Sequence, residues 1–271
     1  MDNFIKIDNL SCGYAGAFSL GNINFTLPKG TFAGIIGPNG SGKTTLFRGI
    51  AGDIPLKSGS VNLNDVNLSH LTNKQRAQKM AIVSQFPDIG DLTVEDYILL
   101  GRLPYRKPFQ FFESEDDYSI AEKYMRLTNT YHLKDKPMRQ LSGGEQQLAA
   151  IAQALTQEPE LLLLDEPTSH LDITHQVQVL NLLQRLNHEM GLTVLMIIHD
   201  LNLASEYCDY LLMMKNGNLH CQGTPFDVLT YQNIEQVYGT LVITQINPNS
   251  GKPAVFLVSE RMRQKVNQQN G

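Results

Sequence analysis

The sequence predicts an α/β fold in which a core of strands and helices is interrupted by a helical segment. Short apolar runs typical of β-strands, separated by Gly- and Pro-containing turns, occupy residues 3–35. From about Leu92 to Gln153 the spacing of apolar residues is mostly helical. Two continuous apolar runs follow, Leu161–Leu164 and Thr193–Ile198, and such runs are typical of parallel strands buried on both faces.

The N-terminal elements of the core follow in a regular order. Strands are predicted over Phe4–Ile7, Ile23–Leu27 and Phe32–Ile36. A helix is predicted over Thr44–Ala51, and a further hairpin strand over Asn62–Asn67.

The rest of the chain is predicted from the same signals. Leu103–Phe112, rich in Pro and aromatic residues, interrupts the helical segment, and an acidic patch follows at Glu113–Asp117. A helix over Gln176–Glu189 separates the two buried strands. The last residues, roughly Met262–Gly271, are polar, and we expect them to be disordered.

The composition narrows the class of function. The chain has 271 residues, enough to bury a full core, and a formal net charge of −5. A short basic run at Arg261–Lys265 is typical of a solvated tail, so no nucleic-acid-binding surface is expected. The cysteines Cys12, Cys208 and Cys221 are odd in number and lack CxxC spacing. This argues against a disulfide framework or a zinc site and favours a reducing cytosol.

The sequence has no segment typical of a membrane span. The N-terminus lacks an apolar signal region. The longest apolar runs, such as Leu192–Ile198, fall far short of the roughly 20 residues that a span needs. We therefore expect a soluble protein, and work at a membrane would require a partner that supplies the spans.

A phosphate-binding loop is predicted at residues 37–45. Gly37–Thr44 fits G-x-x-x-x-G-K-[ST] between an apolar strand and a helix, a context that argues against a chance glycine-rich turn. Glycines let backbone N–H groups turn inward, and the N-terminus of the following helix adds positive potential. Lys43 is expected to reach the β- and γ-phosphates of ATP, Thr44 to bind Mg²⁺, and Thr45 to bond the α-phosphate. The predicted ATP-binding residues of this loop are Gly37, Pro38, Asn39, Gly40, Ser41, Gly42, Lys43, Thr44 and Thr45.

Two acids follow the buried strand Leu161–Leu164. A strand at this place delivers Asp165 to the edge of the sheet, where its carboxylate can hold Mg²⁺. Glu166, one residue further out, can polarise the attacking water as a general base. Many buried strands end in acids, but together with the phosphate-binding loop the pair indicates nucleotide hydrolysis.

A second anion site is predicted at Ser142–Gly144, before a helix that runs from Glu145 to about Leu155. A serine hydroxyl and glycine N–H groups at a helix N-terminus can bind a phosphate. Taken alone, the same residues are far more typical of an ordinary helix cap, with Ser142 at the N-cap. Because the chain already has one phosphate-binding loop, we interpret the second site as serving the ATP bound by another copy.

Together these motifs resemble the nucleotide-binding subunit of an ATP-binding cassette (ABC) transporter over roughly residues 3–240. The resemblance implies a P-loop NTPase (RecA-like) core, residues 3–86 and 156–240, with an N-terminal antiparallel β subdomain. It also implies an inserted helical subdomain over about 87–155. Residues 241–271 are left as a short C-terminal extension with a polar tail.

The resemblance implies further site residues. Tyr14 matches the aromatic residue that stacks on adenine, and Gln85 matches the glutamine that touches Mg²⁺. The loop Ser169–Asp172 matches one that crosses the dimer interface, with Asp172 at the ATP of the partner. His199 matches the switch histidine that contacts the γ-phosphate. A surface or packing role is expected for the other histidines, which are His70, His132, His170, His175, His188 and His220.

The resemblance also implies partners and a cellular location. Two copies sandwich two ATP molecules, and ATP-driven closure is coupled to two polytopic permease subunits at the cytoplasmic face of the inner membrane. An extracytoplasmic substrate-binding protein takes part indirectly. One departure from the family is Leu148, where an arginine is common; it puts in doubt how that helix contacts the second nucleotide.

Within the family, three segments are similar to importers of iron–siderophore, haem and vitamin B12 complexes, namely Val94–Tyr105, His199–Ala204 and Ile234–Gly239. An oxyanion cargo stays open. The segment Phe109–Glu113 is either part of the groove that receives a permease helix or simple core packing. Two other functions remain as alternatives, a non-transport ABC ATPase and a P-loop kinase or GTPase. The latter leaves Ser142–Gly144 and His199 unexplained.

Overall fold

The computed structural model describes residues 3–13, 18–84 and 91–259, and within them the strands form three sheets. The strands of this described part are β1 (Asn3–Cys12), β2 (Ile23–Pro28), β3 (Phe32–Ile36), β4 (Leu56–Leu63), β5 (Val66–Asn67), β6 (Met80–Val83), β7 (Leu161–Leu164), β8 (Thr193–Ile197), β9 (Tyr210–Lys215), β10 (Asn218–Gly223), β11 (Val242–Ile246) and β12 (Pro253–Leu257). Its α-helices are α1 (Lys43–Ala51), α2 (Asn73–Ala77), α3 (Val94–Leu99), α4 (Glu115–Leu127), α5 (Gly143–Leu155), α6 (Ile173–Met190), α7 (Leu201–Tyr207), α8 (Pro225–Val228) and α9 (Tyr231–Tyr238).

The central sheet has the strand order β10-β9-β3-β8-β7-β6, with parallel pairing throughout except between β9 and β10. Every residue of β3, β7 and β8 is buried. This agrees with their continuous apolar sequences, because a parallel sheet is covered by other elements on both faces. The predicted parallel strands therefore lie side by side, β7 paired with β8.

Successive residues of each central strand enter two different hydrophobic clusters. Leu162 and Leu164 pack on the side of α5 and α6, whereas Leu161 and Leu163 pack on the side of α1 and the N-terminal sheet. The alternation follows from the period of two in a strand. The N-terminal sheet is antiparallel, with the order β2-β1-β4-β5. The α/β fold predicted from the sequence is confirmed.

The parallel pairing places three chain segments at one edge. Because parallel strands end at the same edge of a sheet, the loops that follow β3, β7 and β8 meet there. These loops carry the phosphate-binding loop, the acid pair and His199 respectively. The sheet therefore positions the predicted site.

The inserted helices α3, α4 and α5 lie between β6 and β7 in sequence and pack on one another. The Pro- and aromatic-rich interruption begins as a 3₁₀ helix, Leu100–Tyr105. Phe109, Phe111 and Phe112 are 92%, 78% and 83% exposed. The interpretation of these phenylalanines as core packing is therefore wrong. Among the helices of the described residues, none has both the length and the apolar character needed to cross a membrane.

A buried ion pair joins the elements of this helical segment. The Arg102 Nε donates to Asp117 Oδ1 at 2.9 Å, and the two side chains are 8% and 10% exposed. Arg102 also donates to the carbonyl of Thr156 at 2.7 Å and to Glu158 at 3.2 Å. Burial acts to raise the pKa of Asp117, but the hydrogen bonds from Ser114 and Arg102 outweigh it, and the pKa is lowered.

We expect Asp117→Asn to lower the free energy of unfolding at pH 7 by about 2–3 kcal/mol, because Arg102 loses its nearest counter-charge but keeps Glu158. The pKa of Asp117 lies below its ordinary 3.8 in the folded state. Its contribution is therefore complete above that value and is lost as the pH falls through the lower folded pKa. Thermal unfolding from pH 7 to pH 3 should show the difference from wild type shrinking with acid. The neighbouring exposed Asp116→Asn is the control, and a difference that stays constant with pH would contradict the assignment.

Some elements differ from the predicted bounds. Helix α6 starts at Ile173 rather than at Gln176, because Asp172 caps it by accepting from the His175 N–H at 2.9 Å. The predicted strand Asn62–Asn67 is the hairpin of β4 and β5, and β4 already begins at Leu56. The C-terminal extension holds a regular hairpin, β11–β12, whose second strand packs on α7.

Candidate nucleotide-binding and catalytic site

The loop between β3 and α1 has the backbone that its glycines allow. Gly37 and Gly42 have φ angles of 147° and 105°, in the region that L-residues with a side chain rarely adopt. A Cβ at Gly37 would lie 2.4 Å from the Met214 carbonyl oxygen, and one at Gly42 would lie 2.5 Å from Leu20 Cδ2. Both positions therefore require glycine for conformation and for space.

Lys43 is the first residue of α1 and is buried within the loop. Its Nζ donates to the carbonyls of Gly37 at 2.8 Å and of Pro38 at 3.1 Å. Burial lowers the pKa of Lys43, while the nearby carboxylates of Glu166 and Asp165 act to raise it. The loop thus holds a cation within electrostatic range of the two acids that follow β7.

A cleft of about 370 Å³ opens at this loop. It is lined by Phe18, Asn39, Gly40, Gly42, Lys43, Thr44, Thr45 and Glu166. Phe18 was not predicted: its ring lies beside Gly42, and its side chain is partly exposed. An aromatic residue four positions after Tyr14 was the sequence signal that could have identified it. Tyr14 itself lies outside the described residues, so its predicted role in stacking on adenine stays a prediction.

Ser41 provides a test of whether a phosphate fits the loop. Its hydroxyl is buried and, among the described residues, has no hydrogen-bond partner, while its carbonyl accepts from the Gly217 N–H at 2.9 Å. Buried hydroxyls in folded proteins are normally paired. An anion in the loop would give this hydroxyl an acceptor next to the Lys43 cation, so the residues fit a nucleotide phosphate.

Asp165 and Thr44 are the described residues that were predicted to bind Mg²⁺. The Asp165 pKa is raised, first by burial and then by the charge of Glu166. Across the described residues no three His, Cys, Asp or Glu side chains form a metal-binding cluster. Mg²⁺ in nucleotide sites takes one or two protein oxygens and completes its shell with phosphates and water. Asp165 and the Thr44 hydroxyl fit this pattern; Gln85, the third predicted ligand, lies outside the described residues.

Glu166 and His199 form a hydrogen-bonded pair. His199 Nε2 lies 2.6 Å from Glu166 Oε1, and the Ser169 hydroxyl donates to Glu166 Oε2 at 2.9 Å. Burial acts to raise the pKa of Glu166, but these two hydrogen bonds and the charges of His199 and Lys43 lower it overall. Glu166 is therefore held as an oriented carboxylate, and its backbone is in the left-handed region with φ 54°.

The structure separates the second predicted anion site from this cleft. Ser142 caps α5: its hydroxyl donates to Glu145 Oε2 at 2.7 Å and accepts from the Glu145 N–H at 3.3 Å. Ser142 and Gly143 are exposed, and Gly144 is buried. Within one copy these residues make a helix cap, and none of them lines the cleft at the phosphate-binding loop.

Gly144 lies directly against His175. A Cβ at Gly144 would lie 2.3 Å from the His175 ring. The same ring bonds Asp172 through Nδ1 at 2.9 Å. Ser142–Gly144 and Asp172, the residues predicted to meet the ATP of a partner, are therefore joined by one packed histidine.

Leu148 stands in α5 where an arginine is common in the resembling family. It is 6% exposed and belongs to the hydrophobic cluster that α5 shares with α6. An apolar side chain suits this place because it is removed from water. The departure is thus accounted for by core packing.

Tyr238, at the end of α9, is a second contact that the sequence did not reveal. Its hydroxyl accepts from the backbone N–H of Gly37, and burial raises its pKa to about 12 in spite of that contact. Lys215 links the same helix to β9 by donating to the Gln236 carbonyl at 2.6 Å. The C-terminal helix therefore supports the start of the phosphate-binding loop.

Comparisons with known proteins agree with this site. A family model described as ABC transporter matches residues 20–169. The chain is 40% identical over 258 residues to the ABC transporter ATP-binding protein YvrA of Bacillus subtilis; the match covers 95% of this chain but 58% of YvrA, less than two thirds of its length. It is 36% identical to the ferric enterobactin transport ATP-binding protein FepC of Escherichia coli, over 93% of each chain.

The fold is shared with a solved transporter subunit. A metal-chelate type ABC transporter in an inward-facing conformation matches with a TM-score of 0.83 and 28% identity, over 95% of this chain and 97% of that one. Matches of this extent and identity show both the fold and the family. The chain belongs to the ABC transporter family, as one of its ATP-hydrolysing subunits.

Proposed function

We propose that this chain hydrolyses ATP to drive the uptake of a metal chelate, of the iron–siderophore, haem or cobalamin type, through a membrane permease. The observation that supports its chemistry best is the bonded pair of Glu166 and His199 at the sheet edge that carries Lys43. The cargo rests on the likeness to the FepC and metal-chelate transporters.

The proposed chemistry assigns one role to each residue of the cleft. Lys43 and the backbone N–H groups of residues 37–45 bind the phosphates of ATP. Thr44, Gln85 and Asp165 hold Mg²⁺, which when bound neutralises charge on the phosphate oxygens. Glu166, ionised because its pKa is lowered, accepts a proton from the attacking water. His199 orients Glu166 through Nε2 and contacts the γ-phosphate.

A second copy of the chain completes each site. Ser142, Gly143, Gly144 and Asp172 contact the ATP bound by that partner, which accounts for their position outside the cleft of their own copy. ATP binds differentially to the closed pair, so binding closes it, and hydrolysis with product release reopens it. This movement is coupled to two polytopic permease subunits, to which an extracytoplasmic binding protein delivers the cargo.

The domain boundaries belong to the same proposal. Residues 3–86 and 156–240 make the core, about 87–155 the helical subdomain, and 241–271 the C-terminal extension. The chain works as a peripheral subunit at the cytoplasmic face of the membrane. The exposed Phe109, Phe111 and Phe112 form an apolar surface on the helical subdomain suited to an apolar permease segment.

The test of this function is co-purification from native membranes. The proposal requires a polytopic membrane protein to purify with the full-length chain and to change its ATPase rate. An ATPase that responds instead to DNA or to ribosomes, with no such membrane protein bound, would show the proposal to be wrong. The substrate of the accompanying binding protein then separates metal chelates from oxyanions.

We expect Phe111→Glu to reduce the amount of co-purified permease by at least about tenfold, because a charge in an apolar contact must be desolvated. ATPase activity of the isolated chain should stay within about twofold, since Phe111 is not among the residues that line the cleft. Phe226→Glu, at an exposed phenylalanine of α8, is the matched control. Equal recovery of the permease with the two variants would show that Phe111 does not contact the permease.

A further inference from the structure

The C-terminal hairpin is fastened to the helix that follows His199. In this helix, α7, the Asn202 side chain accepts from the Val255 N–H at 2.7 Å and donates to the Val255 carbonyl at 3.2 Å. The Ser205 hydroxyl donates to the Pro253 carbonyl at 2.5 Å. Lys252 Nζ donates to the Glu206 carbonyl at 2.6 Å. One short helix thus makes four hydrogen bonds to a segment about fifty residues later in the chain.

These bonds occupy the backbone of β12 that would otherwise face solvent as a sheet edge. Val255 pairs with Thr244 of β11 on one side and with Asn202 on the other. Val255 and Pro253 are buried, and Val255 belongs to the main hydrophobic cluster. The hairpin is therefore an integral layer over α7.

Helix α7 in turn sets the place of His199. Asp200, the next residue, caps α7 by accepting from the N–H groups of Asn202 and Leu203 at 2.8 and 2.9 Å. On the other side of His199, the Ile198 N–H donates to the Ile35 carbonyl of β3 at 3.2 Å. His199 is thus exposed between a fixed strand end and a helix of seven residues. Since so short a helix is marginal alone, its position depends on what packs on it.

We propose that Asn202 is a positioning residue for catalysis, which holds α7 against the C-terminal hairpin and so keeps His199 in reach of Glu166. The inference rests on the role proposed above for His199. It assigns a part in the hydrolysis step to the hairpin, none of whose residues lines the cleft. Asn202 suits this task because an amide offers both a donor and an acceptor to one backbone unit.

The test is a steady-state and binding study of Asn202→Ala in the full-length chain. We expect kcat to fall about five- to tenfold through misalignment of His199, while the Kd for ATP stays within about twofold of wild type. Ser205→Ala, which removes one hydroxyl from the same contact, should lower kcat in the same direction by a smaller factor. Asn24→Ala is the matched control, since its amide likewise accepts from one backbone N–H, that of Asn9, and donates to one backbone carbonyl, that of Asn22, in the N-terminal sheet. It should leave kcat unchanged.

A double mutant separates positioning from general loosening of the fold. If Asn202 acts through His199, Asn202→Ala should add no further loss of kcat in a His199→Ala background. An additive loss there, an unchanged kcat in Asn202→Ala alone, or an equal fall in Asn24→Ala would overturn the inference. The two proposals fail in different ways: wild-type hydrolysis by His199→Ala would refute the role of His199 itself, whereas slow hydrolysis by His199→Ala with normal Asn202→Ala refutes this inference alone.

Discussion

Glu166→Gln is expected to lower steady-state ATP hydrolysis by about 10²- to 10⁴-fold, the range lost when a general base is removed. The amide keeps the shape of the carboxylate and can still bond Ser169 and His199, but it cannot accept a proton from water. The binding contacts of Lys43 are untouched, so the Kd for ATP should change by no more than about threefold. Phosphate release and equilibrium nucleotide binding measure the two effects.

The same variant tests the pairing of two copies. With hydrolysis blocked and binding kept, ATP should hold Glu166→Gln as a dimer in size-exclusion chromatography, while ADP should not. Glu160→Gln is the matched control, because Glu160 lies at the other end of β7 and its side chain makes a partly exposed ion pair with Lys79. Normal steady-state hydrolysis by Glu166→Gln would exclude Glu166 as the base.

Lys43→Ala is expected to raise the Kd for ATP by about 10- to 100-fold, the effect of losing a charged hydrogen-bond donor. Lys43 is the buried cation of the loop, and its removal leaves Glu166 and Asp165 facing the phosphates with less opposing charge. The loss should therefore be seen in binding itself, before any chemistry. Titration with a fluorescent ATP analogue, competed by ATP, measures it.

The control for this change is Lys57→Ala, at an exposed lysine on β4, which should bind ATP as wild type does. An unchanged affinity of Lys43→Ala for ATP would show that Lys43 does not bind the phosphates. Lys43→Ala and Glu166→Gln also separate the steps of the reaction. Lys43→Ala is expected to change the Kd for ATP, and Glu166→Gln the rate at saturating ATP.

Much of the core was predictable because its signals are local. The continuous apolar runs of β7 and β8 indicated buried parallel strands, and parallel strands must end at one edge. The acid pair and His199 could therefore be placed near the phosphate-binding loop from the sequence. The helix cap at Ser142 could also be recognised from the sequence, because Glu145 follows at the spacing of a capping box.

The contacts missed from the sequence join residues that are far apart along the chain. Tyr238 meets Gly37 across about two hundred positions, and Asn202 meets Val255 across about fifty. Neither pair leaves a periodic pattern or a turn signal, so only the packed fold brings them together. Strand β9 was missed for another reason: its apolar run over Leu211–Met214 is short and cannot be told from a buried helical stretch by pattern alone.

The packing of Gly144 on the His175 ring has a consequence for how related sequences can vary. A side chain at position 144 has no room while position 175 is a histidine in this place. A smaller residue at 175 would remove the ring contact to the Asp172 carboxylate and leave its bond to the backbone N–H of residue 175. A larger residue at position 144 therefore requires a smaller one at position 175. Two residues about thirty positions apart thus constrain each other's size, on the face that we propose meets the second copy.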